Sequence, residues 1–97
     1  MSKLDPSSIN VRHNEEEHRF EVELEGQLSV AEYELQDERM VFTHTYTPPA
    51  QRGRGIAEKL VCAALDYARA ERRKIVPACS YVAVFVERHP EFKTLVA

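Results

Sequence analysis

The most informative stretch of this chain lies at residues 39–68, RMVFTHTYTPPAQRGRGIAEKLVCAALDYA. Its first part, Arg39 to Thr47, is rich in β-branched and aromatic residues and ends at two prolines, which is typical of a β-strand. From Gly55 the apolar residues recur with a period of about 3.6, so an amphipathic helix is predicted there. Two of the chain's 3 glycines lie between the strand and the helix. This stretch therefore predicts a strand, a glycine-containing turn and a helix in direct succession.

The residues before this stretch predict further strands. Ile9 to His13 alternate between apolar and polar side chains, and residues 20–25 alternate apolar residues with glutamates. Gln27 to Gln36 forms a longer strand whose apolar residues change phase, which indicates a β-bulge near Val30. Because the connections are short, we expect these strands and the one above to form an antiparallel meander.

The residues from Gly55 onward predict two helices separated by a short strand. The first helix runs to about Arg73, Lys74 to Pro77 forms a strand, and Ser80 caps a final helix from Tyr81 to His89. The apolar side of the first helix is predicted to comprise Ile56, Leu60, Ala63, Ala64, Tyr67 and Ala68, with Cys62 on its polar side. We therefore expect an α+β fold with the order β-β-β-β-α-β-α. A right-handed crossover makes the fifth strand parallel to the fourth in an otherwise antiparallel sheet.

The length and composition limit what the chain can be. Its 97 residues allow one domain, 1–97, in which residues 1–8 are expected to be a flexible N-terminus. No apolar run approaches the ~20 residues that span a bilayer, and the N-terminus lacks the apolar segment of a signal peptide, so no membrane contact is expected. Two cysteines, Cys62 and Cys79, do not make a disulfide framework, so a reducing, cytoplasmic location is expected. A monomer or weak dimer is expected.

The formal net charge of -3 conceals an asymmetry between the two halves of the chain. Residues 1–50 carry 4 Lys and Arg against 11 Asp and Glu, whereas residues 51–97 carry 9 against 5. This balance argues against general nucleic-acid binding, which needs a broad basic surface. It suits a polyanionic ligand on one side and a cationic one on the other, although an ordinary solvated surface would look the same.

Residues 51–57, Gln-Arg-Gly-Arg-Gly-Ile-Ala, form the motif that best fits a ligand. Gly53 and Gly55 can adopt positive φ and leave no side chain in the way of a bound group. The amides of the first helical turn have no internal partner and point outward at the positive end of the helix dipole, which suits a pyrophosphate. A tight turn without a ligand is the alternative. The motif matches neither a Walker A loop nor Gly-x-Gly-x-x-Gly.

The histidines give no sign of a metal site. His13, His18 and His89 lack metal-ligand spacing with the two cysteines, so no bound metal is expected.

Four segments together resemble a known family. Arg52-Gly53-Arg54-Gly55-Ile56-Ala57 fits the Arg/Gln-x-x-Gly-x-Gly/Ala signature of the GNAT superfamily of N-acetyltransferases, in the same setting between a strand and a helix. With residues 42–45, 77–82 and 87–92, it resembles the minimal GNAT-like family, whose members are about as long as this chain. The resemblance covers residues 9–96.

The resemblance implies an acetyl-CoA site. In that family the amides of the segment equivalent to residues 52–57, called the glycine segment below, bind the pyrophosphate. The fourth strand hydrogen-bonds the pantetheine arm, and splaying of the fourth and fifth strands admits the cofactor. The positions carried over are Thr43, Thr45, Tyr46, Thr47, Arg52, Gly53, Arg54, Gly55, Ile56 and Ala57. The implied activity is acetyl transfer from acetyl-CoA to a primary amine. The acidic first half favours a cationic acceptor, such as a lysine side chain or a polyamine.

The sequence also departs from the larger members of that superfamily. The helices that shape their acceptor site are replaced by the acidic turn Asn14 to Glu17. The tyrosine that often serves as general acid on their last helix has no counterpart near Phe85, Val86 and Glu87. A non-catalytic acyl-CoA-binding module is therefore the alternative interpretation.

Two side chains are the catalytic candidates. Cys79 lies between a strand and a helix N-terminus, where the dipole and the amides favour a thiolate. It could protonate the departing CoA thiolate or take the acetyl group transiently, and a packed core cysteine is the alternative. His44 on the fourth strand could deprotonate the incoming amine, or it could be an ordinary half-exposed histidine of the sheet.

Overall fold

Five strands form a single mixed sheet in chain order. The structure, a computed structural model, describes residues 9–97, so the expectation for residues 1–8 lies outside the described part. The strands are β1 (Arg12–Asn14), β2 (Arg19–Leu24), β3 (Gln27–Gln36), β4 (Arg39–Tyr46) and β5 (Lys74–Pro77). The first four pair antiparallel and β5 pairs parallel to β4. Helix α1 (Ile56–Ala70) joins β4 to β5, helix α2 (Ser80–Arg88) follows, and 3-10 turns cover Pro49–Gln51 and Pro90–Leu95. The predicted α+β fold and its order are confirmed.

The hydrophobic core lies between the sheet and the two helices. Alternate side chains of the strands, among them Phe20, Val22 and Phe42, enter one cluster with residues of both helices and of the C-terminal turn. The residues of α1 that are buried are Ile56, Leu60, Val61, Ala64, Leu65 and Ala68. Because β2, β3 and β4 are joined by short turns and packed on this core, they form a firm base for the segment between β4 and α1.

The buried stripe of α1 differs from the predicted one. Val61 and Leu65 are fully buried, whereas Ala63 and Tyr67 are only half-buried. Cys62 is also half-buried and packs against the core, which corrects its assignment to the polar side. The stripe is wider because α2 and the C-terminal turn pack on α1 as well as the sheet.

Helix α1 ends earlier than the predicted Arg73. After Ala70 the chain enters a left-handed conformation at Arg72, whose φ is 57°. The N–H of Arg73 donates to the carbonyl of Ala68 (2.8 Å), and that of Arg72 donates to Arg69 (3.1 Å). This is the pair of bonds of a Schellman C-cap, formed here without the usual glycine.

Strand β1 is shorter than the predicted span from Ile9 to His13. It starts at Arg12, which pairs with Glu21 of β2. Ile9 is buried nevertheless, because the chain before β1 packs beside the start of α1, next to Arg54 and Cys62.

The predicted bulge near Val30 is wrong in position. The register shifts between Glu32 and Tyr33, which pair with His44 and Phe42, so Thr43 of β4 is the extra residue. The phase change in β3 has another cause. Residues 29–31 are buried on both faces of the sheet, so the positions of apolar residues there do not show which face packs on the core.

Candidate functional site

A cleft opens where β4 and β5 separate. Their pairing ends at Phe42 and Pro77, and the last backbone–backbone bond across the gap runs from the N–H of Cys79 to the carbonyl of Phe42 (2.8 Å). Beyond this point β4 continues to Tyr46, while the other chain segment turns into α2. The cleft has a volume of about 670 Å³ and is lined by residues 43–47, residues 78–81, Arg52 and Ala57. The predicted separation of a parallel β4/β5 pair is therefore present.

The glycine segment closes one end of this cleft. Gly53 and Gly55 have φ values of 85° and 77°, the left-handed region that favours glycine. No heavy atom lies within 4 Å of the position that a Cβ would take at either glycine, so both glycines border open space on that side. A second pocket of about 220 Å³, which shares Thr47, Arg52, Ala57 and Tyr81 with the cleft, lies against this segment.

The start of α1 offers unpaired donors to that second pocket. Gly55 is the N-cap residue, and no side chain caps the helix. The first intrahelical bond of this turn runs from the N–H of Lys59 to the carbonyl of Gly55, so the amides before Lys59 lack helical partners. Amides in this position, at the positive end of the helix dipole, bind phosphate groups well. The residues present fit the pyrophosphate of a coenzyme A molecule.

The predicted side chains of this segment have different surroundings. Arg52 is exposed, and its Nε donates to the carbonyl of Thr47 (3.0 Å). Arg54 is turned away toward the β2–β3 turn, where its Nη1 lies 3.0 Å from the Oε1 of Glu25. The side chain of Ile56 is buried in the core, so only its backbone can face a ligand.

Cys79 lies in the cleft at the start of α2. Its Sγ is 3.4 Å from the Oγ1 of Thr45, and it is half-buried. Burial raises the pKa of the Cys79 thiol, but hydrogen bonds from the Thr45 hydroxyl and from the amides of Val82 and Tyr81 outweigh burial and lower the pKa overall. The site therefore raises the fraction of thiolate, the reactive form, above that of an ordinary cysteine.

The predicted capping role of Ser80 is wrong. Cys79 is the N-cap residue of α2 and Ser80 is already helical, with no side-chain capping bond. The chain leaves β5 with Cys79 in an extended conformation (φ -79°, ψ 131°), so the helix starts one residue before the predicted Tyr81.

His44 and Cys79 are not brought together. In the β3–β4 register Thr45 pairs with the buried Ala31, whereas His44 pairs with Glu32. Because side chains alternate along a strand, Thr45 faces Cys79 and the core, and His44 lies on the opposite face of the sheet. Tyr46 shares that opposite face and is 45% exposed. The two catalytic candidates thus border the cleft from opposite sides of β4.

Two residues that border the pockets were missed by sequence reasoning. Tyr81 lines the cleft and the second pocket, and burial, followed by the charge of Glu58, raises its pKa, so it is protonated at neutral pH. Its place two residues after Cys79, in the first turn of a helix, was an available signal. Gln51 lines the second pocket and is only 2% exposed. Gln51 belongs to the 51–57 motif, but its role was not predicted, because two of its partners, Leu24 and Glu25, lie 27 and 26 residues earlier in the chain.

The part of the chain that the structure describes contains neither a cluster of metal ligands nor a membrane-spanning helix. Between residues 9 and 97, no three His, Cys, Asp or Glu side chains are grouped so that they could hold a metal ion. No helix in the same range is long and apolar enough to cross a membrane.

Comparisons with known proteins agree with this geometry. The family model of the GCN5-related N-acetyltransferases matches residues 19–95. Protein NATD1 of Xenopus tropicalis is 37% identical over 94 residues, covering 93% of this chain and 86% of its own. Protein NATD1 of Homo sapiens is 39% identical over 85 residues, covering 84% and 75%.

A solved structure shares the fold. The NMR structure of a GCN5-like protein from Staphylococcus aureus superposes with a TM-score of 0.69 at 20% identity, covering 100% of this chain and 91% of that one. Together with the match of the family model, the separated β4/β5 pair and the glycine segment between β4 and α1 identify the chain as a small member of the GCN5-related N-acetyltransferase family.

Proposed function

We propose that this protein transfers the acetyl group of acetyl-CoA to a primary amine, either a lysine side chain or a small cationic amine. The observation that carries the proposal is the cleft itself. Unpaired amides of α1 lie at one end, an unpaired edge of β4 runs along it, and the Cys79 thiol lies beside that edge. Family membership supports acyl transfer in general.

The main chain would hold the coenzyme. The amides of residues 53–57 bind its pyrophosphate, as helix N-termini do. Beyond Phe42 the edge of β4 has no β5 partner, so its backbone groups in residues 43–46 can bond the amides of the pantetheine arm as a neighbouring strand would. When bound, the coenzyme supplies an activated acyl thioester.

Cys79 is the residue proposed to take part in the chemistry from the helix side. As a thiolate it would attack the acyl carbon, expel the CoA thiolate and carry the acyl group as a thioester until the amine displaces it. As a thiol it would instead give its proton to the CoA sulfur that departs when the amine attacks directly. The lowered pKa raises the thiolate fraction of Cys79, which supports the first role.

The opposite face of the sheet is proposed to receive the amine. His44 is exposed there, and Glu32 is its cross-strand partner on β3. A carboxylate beside the histidine would attract a cationic amine, and the imidazole would accept the proton that the ammonium group must lose before it reacts. The acidic first half of the chain supports the same substrate class.

One observation favours a non-catalytic acyl-CoA-binding module instead. Phe85 and Val86 of α2 are buried in the core and Glu87 is exposed, so this turn gives the cleft no general acid of the kind that larger family members use. Such a module would bind the coenzyme and release no acyl group.

Turnover separates these two functions. Purified protein is incubated with acetyl-CoA and, separately, with spermidine, a lysine-containing peptide and an uncharged hydroxylamine ether, and free CoA thiol and acetylated amine are quantified. We expect turnover with the cationic amines. In Cys79→Ser the rate should fall at least about tenfold, which is about 1.4 kcal/mol of barrier, because a hydroxyl is a far weaker acid and nucleophile.

The matched control is Cys62→Ser, which should keep the wild-type rate because Cys62 lies outside the cleft. Binding of acetyl-CoA without product would leave the binding module as the function. Wild-type turnover in Cys79→Ser would remove Cys79 from the mechanism and leave His44 or water.

A further inference from the structure

The buried side chain of Gln51 links the segment that would bind the pyrophosphate to the β2–β3 turn by hydrogen bonds. Gln51 lies in the 3-10 turn just before the glycine segment and is 2% exposed. Its Nε2 donates to the carbonyl of Leu24 (3.2 Å) and to the Oε1 of Glu25 (3.4 Å). Its Oε1 accepts a bond from the Nη1 of Arg54 (3.1 Å). The side-chain amide of Gln51 thus joins the end of β2 to Arg54, which lies between the two glycines.

Arg54 completes the connection. Its Nη1 also donates to the Oε1 of Glu25 (3.0 Å), so Gln51, Arg54 and Glu25 form a closed triangle of hydrogen bonds. The bonds of Arg54 to Glu25 and Gln51 include a charge-assisted one, which is stronger than a neutral pair. This geometry explains why Arg54 points away from the cleft although it belongs to the sequence signature.

The segment needs such a support because its own sequence leaves it free. Gly53 and Gly55 have the widest conformational choice of any residue, and their left-handed φ angles are held by no side chain of their own. Between Gln51 and Arg54 the chain has only two residues. Fixing both of these positions to the β2–β3 hairpin therefore restricts the conformations that the glycine segment can adopt.

We infer that Gln51 is a positioning residue for phosphate binding: by tying the glycine segment to the β2–β3 turn, it holds the amides in the binding conformation before a ligand arrives. The inference rests on the proposed function for its ligand, coenzyme A. The inference predicts that loss of Gln51 affects one end of the binding site and not the other. Loss of Gln51 should weaken binding through the pyrophosphate and leave the thioester end of the cleft unchanged, because Gln51 does not line the region around Thr45 and Cys79.

The test compares Gln51→Met with wild type. Methionine keeps a similar volume but none of the three hydrogen bonds. Calorimetry with CoA measures affinity, and kcat/KM is measured for acetyl-CoA and for S-acetylpantetheine, which lacks the pyrophosphate. We expect CoA affinity and kcat/KM for acetyl-CoA to fall at least about tenfold, with kcat/KM for S-acetylpantetheine unchanged. NMR relaxation of the ligand-free protein should show faster motion at the Gly53 and Gly55 amides.

Two further variants serve as a control and as a second test of the inference. Gln36→Met replaces an exposed glutamine of β3 and should match wild type in every measurement. Glu25→Ala removes one corner of the triangle from an exposed position, so it keeps the inference testable if Gln51→Met does not fold, and CoA affinity should fall about threefold.

The possible results are distinct. Wild-type CoA affinity in a folded Gln51→Met, or equal losses with both thioesters, would overturn the inference and leave the proposed function standing. If Gln51→Met is unfolded, wild-type CoA affinity in Glu25→Ala would likewise overturn the inference and leave the proposed function standing. A wild-type protein that binds no CoA would overturn the proposed function, and the inference with it.

Discussion

The two cysteines of this chain show how position in the fold sets the chemistry of a side chain. Cys62 lies on α1 with its Sγ 3.8 Å from the Oδ2 of Asp66, and burial, followed by the charge of Asp66, raises its pKa. Cys79 lies at a helix N-terminus, where hydrogen bonds outweigh burial and lower its pKa. The pKa of the same functional group is thus raised at one site and lowered at the other.

This contrast predicts selective alkylation. At pH 7.5 iodoacetamide should modify Cys79 at least about five times faster than Cys62, because the thiolate is the reacting form. Peptide mass spectrometry over time measures both rates in one sample, and acetyl-CoA should protect Cys79 alone. Equal rates at the two cysteines would contradict the assigned environments.

At the same scale, sequence reasoning found the residues of the cleft but not all of their orientations. Thr45 lines the cleft and the two glycines line the adjoining second pocket, because a strand–turn–helix motif defines its own local geometry, and Cys79 lies at the predicted junction of β5 and α2. Arg54 could not be assigned, since its partner Glu25 is 29 residues away in sequence. The separation of His44 from Cys79 depends on the register between β3 and β4, which no single strand reveals.

Among the secondary-structure elements, α1 carries a strained end. Arg72 adopts a left-handed φ of 57° in the Schellman C-cap, a position where glycine is the usual residue. The left-handed conformation costs a residue with a Cβ about 1 kcal/mol or more.

Arg72→Gly should therefore stabilise the protein by about 0.5–1 kcal/mol. The substitution removes the backbone strain, and within residues 9–97 the Arg72 side chain makes no bond to the core that would be lost. Urea unfolding followed by circular dichroism measures this change. As a control, Arg69→Gly in the last turn of α1 should destabilise by at least this amount, because glycine lowers helix propensity and the Arg69 guanidinium over the Phe92 ring (4.7 Å) is lost. A destabilised Arg72→Gly would mean that the guanidinium contributes more than the backbone strain costs.

The elements themselves were mostly predictable, and their ends were not. Residue patterns predicted β1 to β4 and α1, and the short segments after α1 predicted β5 and α2. The bulge and the ends of β1 and α1 depend on tertiary partners. Thr43 is extruded by the pairing of β4 with β3, and α1 stops where Arg72 turns the chain toward β5. Local sequence does not contain these contacts.

At the scale of the whole molecule, an aromatic cluster joins the β1–β2 hairpin to the rest of the fold. The ring of His13 stacks on Phe20 at 4.0 Å and meets Tyr67 of α1 edge-on at 4.5 Å. Its Nε2 lies 2.6 Å from the Oη of Tyr33. Burial, the largest cause, lowers the pKa of His13, while Glu15 opposes this shift and His18 adds to it.

Stability should therefore depend on pH through His13. Because its pKa in the folded protein is below the ordinary value of about 6.5, the unfolded chain binds the proton more readily, and stability is lost as pH falls through and below that value. We expect the free energy of unfolding to decrease between pH 7.5 and pH 5, and to decrease less in His13→Phe, which keeps the stacking but cannot titrate. Urea unfolding at several pH values checks this, and an equal pH dependence in both proteins would exclude His13 as a cause.

The central claim, that acetyl-CoA lies in the cleft between β4 and α2, is tested most directly by NMR. Acetyl-CoA is titrated into uniformly ¹⁵N-labelled protein, and amide shifts are followed residue by residue. We predict the largest changes at residues 43–47, 53–57 and 78–81, with little change in the pocket formed by Asp37, Glu38, Arg39, Arg72 and Lys74 at the far end of β4. Gly55→Val, which places a branched side chain at the mouth of the second pocket, should abolish the changes. No shifts at millimolar acetyl-CoA, or shifts centred on the far pocket, would contradict the account.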